Sequence, residues 1–190
     1  MKFKSSNQYI LKNKIVSVVP FKKSHITSQF ISFLNSKSIN KYMMHSLDRR
    51  VKKKQTKKSI LRYFNERKKN NDYYFAIIKN YKKKLIGTIT LRNLDKNSAT
   101  IGFMIGMKKY IGSEYSRDSI RMVLDFSFKT LKLQKLYAGT NKNNISSNFN
   151  LIRNDFLLKK KIKKLFLFVL LKRNFKKKIK YEIFKLNSIS

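Results

Sequence analysis

The hydrophobic pattern of this chain changes period as it runs, and each change marks a new element. Ile15–Phe21 (IVSVVPF) is β-branched and ends near Pro20, which predicts a strand. Ile26–Leu34 places Ile26, Phe30, Phe33 and Leu34 on one helical face. The cationic run Arg49–Lys58 precedes a second helical stripe of Ile60, Leu61 and Phe64. The spacing then drops to two. Tyr73–Lys79 and Lys84–Arg92 read as strands joined by a turn at Asn80–Lys83, and Ser98–Met107 as a third strand after a turn at Asn93–Asn97. Strands in series with short turns predict an antiparallel meander.

Lys108–Ser113 reads as a loop, and Glu114–Leu131 as a helix with Ile120, Val123, Leu124 and Phe128 facing inward. Lys135–Thr140 is again a strand. Strand, helix, strand predicts a βαβ unit whose two strands lie parallel. Ile145–Asp155 reads as a shorter helix, and Lys161–Leu171 and Lys177–Leu186 as two long strands that close the sheet. There is no repeat and no linker, so residues 1–190 are expected to form a single α/β domain. Its predicted architecture is a mixed, mostly antiparallel central sheet with one βαβ unit and flanking helices.

Composition narrows the chemistry. With no cysteine, disulfides and thiolate metal sites are excluded. His25 and His45 are too few for a histidine metal cluster, so no metal is expected. Met1–Phe21 lacks the apolar run of a signal peptide, and the longest apolar run, Leu165–Leu171, is far short of the roughly 20 residues of a membrane span. The expectation is a cytoplasmic protein with no membrane partner.

The charge is extreme: 46 Lys and Arg against 9 Asp and Glu, or +37. Only nine of the cations are arginine, the better residue for bidentate phosphate and base contacts. Lysines are spread along the whole chain, Asn and Ile are abundant, and Gly, Pro and Trp are scarce, as AT-rich codons would give. Codon bias explains this better than selected binding, although weak nonspecific attraction to polyanions follows either way. A noncatalytic nucleic-acid-binding module would need an aromatic and basic platform. Tyr73, Tyr74 and Phe75 read better as strand residues.

Several short segments occur in a telling order. Phe33-Leu34-Asn35-Ser36 is followed by Ile39-Asn40-Lys41-Tyr42, then by Leu85-Ile86-Gly87-Thr88-Ile89 and Ile101-Gly102-Phe103-Met104-Ile105-Gly106. Tyr110-Ile111-Gly112-Ser113-Glu114-Tyr115, Asn144-Ile145-Ser146-Ser147 and Asn154-Asp155-Phe156 come after them. The series resembles the GNAT superfamily of acyl-CoA N-acyltransferases. It resembles most the branch with the ribosomal-protein N-terminal acetyltransferases and the amino-sugar acetyltransferases of surface-polysaccharide pathways. The likeness covers Ile15 to Phe156, and more loosely the last strands.

The resemblance implies roles for particular residues. Lys109 to Glu114 stand where the family carries Q/R-x-x-G-x-G/A, a loop ending at a helix N-terminus whose free amides hold a pyrophosphate. Lys109, Tyr110, Gly112, Ser113, Glu114 and Tyr115 are the expected cofactor-binding residues there, helped by the charge of Lys108. Glu114 departs from the pattern, since a small residue usually stands there; it also suits a helix's first turn. Phe103, Met104 and Ile105 are expected to line the cofactor, with a bulge near Met104–Gly106 aiming a backbone N–H at the thioester carbonyl. Gly102 and Gly106 fit either a bulge or plain close packing. Many relatives place a Glu base where Thr100 stands here, and Asp95, Glu114, Asp118 and Asp125 are poor substitutes. His45 is the candidate base, or else an exposed loop histidine. The acid position holds Leu151. Asn144 is the second catalytic candidate beside His45 and can hydrogen-bond the cofactor, and Ser147 can cap the short helix or touch the pantetheine. Asn35 and Tyr42 are the expected acceptor contacts, and Asp155 replaces a customary Gly. The implied activity is transfer from acetyl-CoA to a primary amine of a small molecule, such as a nucleotide-linked amino sugar, by a monomer or homodimer. A protein N-terminus is the alternative acceptor.

Overall fold

The computed structural model describes residues 9–42, 54–70, 72–176 and 179–186. The strands are β1 (Tyr9–Lys12), β2 (Val16–Pro20), β3 (Tyr73–Lys79), β4 (Lys84–Arg92), β5 (Ser98–Ile105), β6 (Lys135–Asn141), β7 (Leu157–Ile162), β8 (Leu165–Leu171) and β9 (Glu182–Lys185). The helices are α1 (Ser28–Asn35), α2 (Lys37–Asn40), α3 (Lys57–Lys69), α4 (Glu114–Lys129) and α5 (Ile145–Ile152). Among the described residues the strands form one sheet in the order β7-β8-β6-β5-β4-β3-β2-β1-β9. Every neighbouring pair is antiparallel except β5 and β6, the two strands that α4 connects. The expected meander and the expected parallel βαβ unit are therefore both present.

Alternation along the strands gives the sheet two covered faces. Ile89 and Leu91 of β4 and Ala99, Ile101 and Ile105 of β5 bury against Ile120, Val123 and Leu124 of α4. On the opposite face Phe30 and Phe33 of α1 and Ile60 and Phe64 of α3 pack on Phe21, Tyr74 and Ala76. Phe21 stacks on Tyr74 with ring centroids 4.2 Å apart. Thr27 starts α1 by accepting the Phe30 N–H (3.2 Å), and Thr56 starts α3 by accepting that of Ser59 (3.2 Å), as helix caps do.

The last third differs from the sequence reading. Lys161–Leu171 is not one strand. The chain turns at Lys163, which has φ 46°, and makes a hairpin of β7 and β8. The apolar run Leu165–Leu171 lies inside the sheet beside β6, whereas β7 is an exposed edge. The described part of the expected strand Lys177–Leu186, residues 179–186, is not one long strand either. Among those described residues only Glu182–Lys185 forms a strand, and it pairs with β1 at the far edge. To get there the chain passes across α4: Phe175 packs on Phe128 (5.4 Å), and the Tyr181 hydroxyl donates to Asp125 Oδ2 (2.6 Å). Strand β1 has no counterpart in the sequence reading, although Leu11 is fully buried.

Candidate active site

The site begins with a parting of two strands. β5 and β6 pair only where Ser98–Thr100 faces Lys135–Tyr137. Beyond Thr100, β5 stays with β4 and β6 stays with β8 along its full length. A gap therefore opens between them, with Thr100 at its closed end. The phase of the ladder fixes what faces this gap. Gly106 donates its N–H to the Ile86 carbonyl (2.8 Å), while the Asn97 carbonyl accepts from Gln134 and Lys135 (2.7 and 3.0 Å). Odd-numbered residues of β5 thus turn their backbone groups away from β4. The amides and carbonyls of Phe103 and Ile105 point into the gap, where no strand among the described residues meets them. Buried backbone groups need partners, so this edge suits a ligand that carries amides and a carbonyl of its own.

The predicted bulge near Met104–Gly106 is absent. β4 and β5 keep one register from Gly87↔Ile105 to Arg92↔Thr100, and the register shifts lie instead between Ile77 and Ile78, where β3 meets β4, and between Leu158 and Lys160, where β7 meets β8. Strand separation, rather than a bulge, frees the amides. Of the two glycines offered for that bulge, Gly106 is a close-packing position. A Cβ on it would overlap the Phe33 ring, so glycine lets α1 lie directly on the end of β5.

At the open end, a 3₁₀ turn at Lys108–Tyr110 leads to Gly112, whose φ of +74° suits glycine, and then to α4. The first ladder bond of α4 runs from Arg117 N–H to the Ser113 carbonyl (3.0 Å). The amides of Glu114, Tyr115 and Ser116 precede it and stay available to an anion. The Ser113 hydroxyl donates to the Tyr110 carbonyl (2.7 Å), tightening the loop. Tyr110 is buried and Tyr115 partly so, with ring centroids 5.4 Å apart. The Lys79 ammonium lies over both rings (5.8 and 5.2 Å), and Lys109 lies over Tyr110 (5.3 Å). Glu114 is exposed.

Across the gap, Asn144 caps α5: its Oδ1 accepts the Ser147 N–H (3.2 Å). The cap is Asn144, and Ser147 contributes its backbone. Leu151 is a core residue, 2% exposed, which explains why it carries no acid. Asp155 has φ +66°, so the usual Gly is replaced by a residue that tolerates the left-handed region. Lys108–Tyr115 thus follow the end of β5, and Asn144 and Ser147 follow the end of β6, the two strands that part beyond Thr100. Asn35 and Tyr42 lie on the other face, beyond Phe33. Both polar ends of Asn35 are committed to the backbone of Gln55 (2.9 and 2.7 Å), so it closes a loop rather than reaching for an acceptor. Tyr42 is partly buried beneath Lys41. His45 lies outside the described residues.

The sequence reading missed a polar patch on that second face. Thr88, Thr90 and Arg92 alternate along β4, with Tyr74, Tyr63, Arg67 and Asp72 beside them. Arg67 holds Asp72 at 2.8 Å and lies over the Tyr63 ring. Burial still raises the Asp72 carboxyl above its ordinary value, because desolvation outweighs the guanidinium. Burial likewise pushes the hydroxyls of Tyr63 and Tyr74 upward. Among the described residues no cluster of three potential metal ligands occurs, and no helix is long and apolar enough to cross a membrane.

Known proteins resemble this chain in sequence and in fold. The probable N-acetyltransferase YjcK of Bacillus subtilis is 29% identical over 94 residues, 48% of this chain. The chain spans about half the length of that relative, 51% of it. Among solved structures, a spermidine N-acetyltransferase from Vibrio cholerae, in complex with CoA and spermine, superposes with a TM-score of 0.70 at 17% identity, covering 85% of this chain and 98% of that one. A ribosomal-protein-S5-alanine acetyltransferase from Vibrio fischeri gives 0.62 at 18% identity, over 88% and 99%. At these identities the superpositions speak for the fold. Residues 16–156 match the acetyltransferase (GNAT) domain, a span that runs from the first residue of β2 to the end of the α5 turn, and the chain belongs to that family.

Proposed function

We propose that this protein transfers the acetyl group of acetyl-CoA to a primary amine of a small molecule. One observation carries the reading: the gap between β5 and β6 opens onto the amide-lined N-terminus of α4. The donor supplies an activated thioester. The amides of Glu114, Tyr115 and Ser116, with Lys108 and Lys109 nearby, bind its pyrophosphate. The Phe103 and Ile105 backbone groups receive the pantetheine and the thioester oxygen, where an N–H stabilises negative charge as it develops. The amine nitrogen bonds to the carbonyl carbon, the carbon–sulfur bond breaks, and the amine's proton leaves while the thiolate gains one. Thr100 is no base at neutral pH, so the proton passes to water or to His45. Holding donor and acceptor in line supplies much of the rate.

An amino sugar on a nucleotide is the acceptor class favoured by the cationic rim of Lys79, Lys82, Lys83, Lys84, Lys108 and Lys109. A protein N-terminus is the second reading. Thermal unfolding with acetyl-CoA tests donor binding, since a ligand of the native state alone raises Tm. No shift at millimolar acetyl-CoA would overturn the proposal. Transfer of labelled acetyl to peptides, and not to amino-sugar nucleotides, would replace the first acceptor with the second.

A further inference from the structure

The polar patch on β4 contains a cation without a matching anion. Arg92 stands directly opposite Thr100, the residue at which β5 and β6 part. Residues paired in this way have Cα atoms about 5.5 Å apart, so Arg92 is one strand away from the closed end of the gap. Its side chain lies on the face away from α4, with Thr88 and Thr90. Its Nε is buried and has no hydrogen-bond partner among the described residues. The carboxylate of Asp72, close enough to feel the charge of Arg92, is already engaged by Arg67 at 2.8 Å. Two guanidinium groups therefore act on the Asp72 carboxylate; the Nε of each is buried without a partner among the described residues, where Arg92, unlike Arg67, has no ion pair to offset that cost.

The surroundings leave room for such a group. An Arg92 Nη lies 3.9 Å from where a Cβ on Gly102 would stand, and that Cβ would meet the Thr90 hydroxyl at 3.0 Å. Glycine at 102 thus keeps the strip beside Arg92 clear of side chain. Thr90 and Thr100 add hydroxyls next to it. A planar fork of donors above a bare stretch of strand is the arrangement that receives a carboxylate or phosphate in two-pronged fashion.

We infer that Arg92 receives an anionic group of the acceptor, a carboxylate or phosphate a few bonds from the amine that is acetylated. This rests on the acetyltransferase reading, and it separates the acceptor from polyamines, whose charges would be repelled there.

Matched acceptors test it. CoA release is measured with glucosamine and glucosamine 6-phosphate, with phenethylamine and phenylalanine, and with spermidine. The wild type is expected to prefer the anionic member of at least one pair by tenfold or more in kcat/KM. In Arg92→Gln that ratio falls to near one, chiefly through KM, and Arg92→Lys restores part of it. The phosphate pair and the carboxylate pair distinguish the two sources of charge. Acetyl-CoA must raise the Tm of both variants as it does that of the wild type, which shows that they fold and bind donor. Preference for neutral or cationic amines, or a ratio unchanged in Arg92→Gln, overturns the inference and leaves donor binding standing. Absence of any acetyl-CoA shift in the wild type overturns both readings together.

Discussion

Glu114 sits exposed at the first position of α4, among the amides that would hold a pyrophosphate. A carboxylate there favours the helix dipole by about 0.3–1 kcal/mol, yet it opposes a dianionic ligand. Glu114→Ala is therefore expected to tighten acetyl-CoA binding roughly fivefold, the effect of about 1 kcal/mol of relieved repulsion in water-rich surroundings, and to lower stability slightly. Calorimetric titration of both proteins decides; an unchanged or weaker affinity would mean the carboxylate points away from the phosphates. His25 gives a second expectation. Burial, and then the charge of Lys22, hold its imidazole below the ordinary 6.5. Its Nδ1 accepts the Lys22 N–H (3.0 Å), a bond that needs the neutral ring. Because the unfolded chain binds that proton more readily, the contribution is complete above pH 6.5 and is lost as pH falls from there through the lower value of the folded state. Tm should drop between pH 7.5 and 5.5, and more steeply in the wild type than in His25→Gln. Parallel slopes would remove His25 as the cause. At this scale the sequence was legible where a residue's role is backbone chemistry, as at Gly112. It misled where side-chain geometry decides. Asn35 looked like an acceptor contact and is a loop clasp. Arg92 was overlooked although Thr88, Thr90 and Arg92 alternate visibly with Ile89 and Leu91, because its meaning depends on a neighbour 20 residues upstream, Asp72.

Among the elements, the end of α5 is the most exposed to a single substitution. The helix stops at Ile152, the Phe156 N–H returns to the Leu151 carbonyl (3.1 Å), and Asp155 occupies the left-handed region between them. An L-residue pays about 1 kcal/mol there relative to glycine. Asp155 recovers some of it through Oδ2, which accepts the Lys176 N–H (3.1 Å). Asp155→Ala keeps the strain and loses the bond, so unfolding free energy should fall by about 1–2 kcal/mol. Asp155→Gly exchanges one effect for the other and should stay within about 0.5 kcal/mol of the wild type. Denaturant melts of the two variants test this, and equal losses would contradict it. Elements with a clean period were readable: β4 spans Lys84–Arg92 both as expected and as observed, and α4 differs only at its last residues. The β7–β8 hairpin was not, because Lys163 and Lys164 carry no turn signature and a lysine-rich edge strand has no apolar alternation to display.

For the whole molecule, order of strands was the hardest thing to foresee. The parallel contact of β5 and β6 followed from local logic, whereas the placement of β9 beside β1 depends on pairing between opposite ends of the described chain. The same holds for the charge: lysines are scattered along the whole chain, and only the fold gathers Lys79 and Lys109 over Tyr110. That far pairing also imposes a timetable. β2 to β6 join through contacts close in sequence apart from the α3 and α4 excursions, and β8 locks onto β6 soon after. Closing β1 on β9 spans about 170 residues and costs roughly 2–3 kcal/mol more in chain entropy than a ten-residue closure. During synthesis, then, both walls of the gap and the start of α4 are assembled while β1 still waits as an open edge, and the cleft is ready for its ligand before the sheet is sealed.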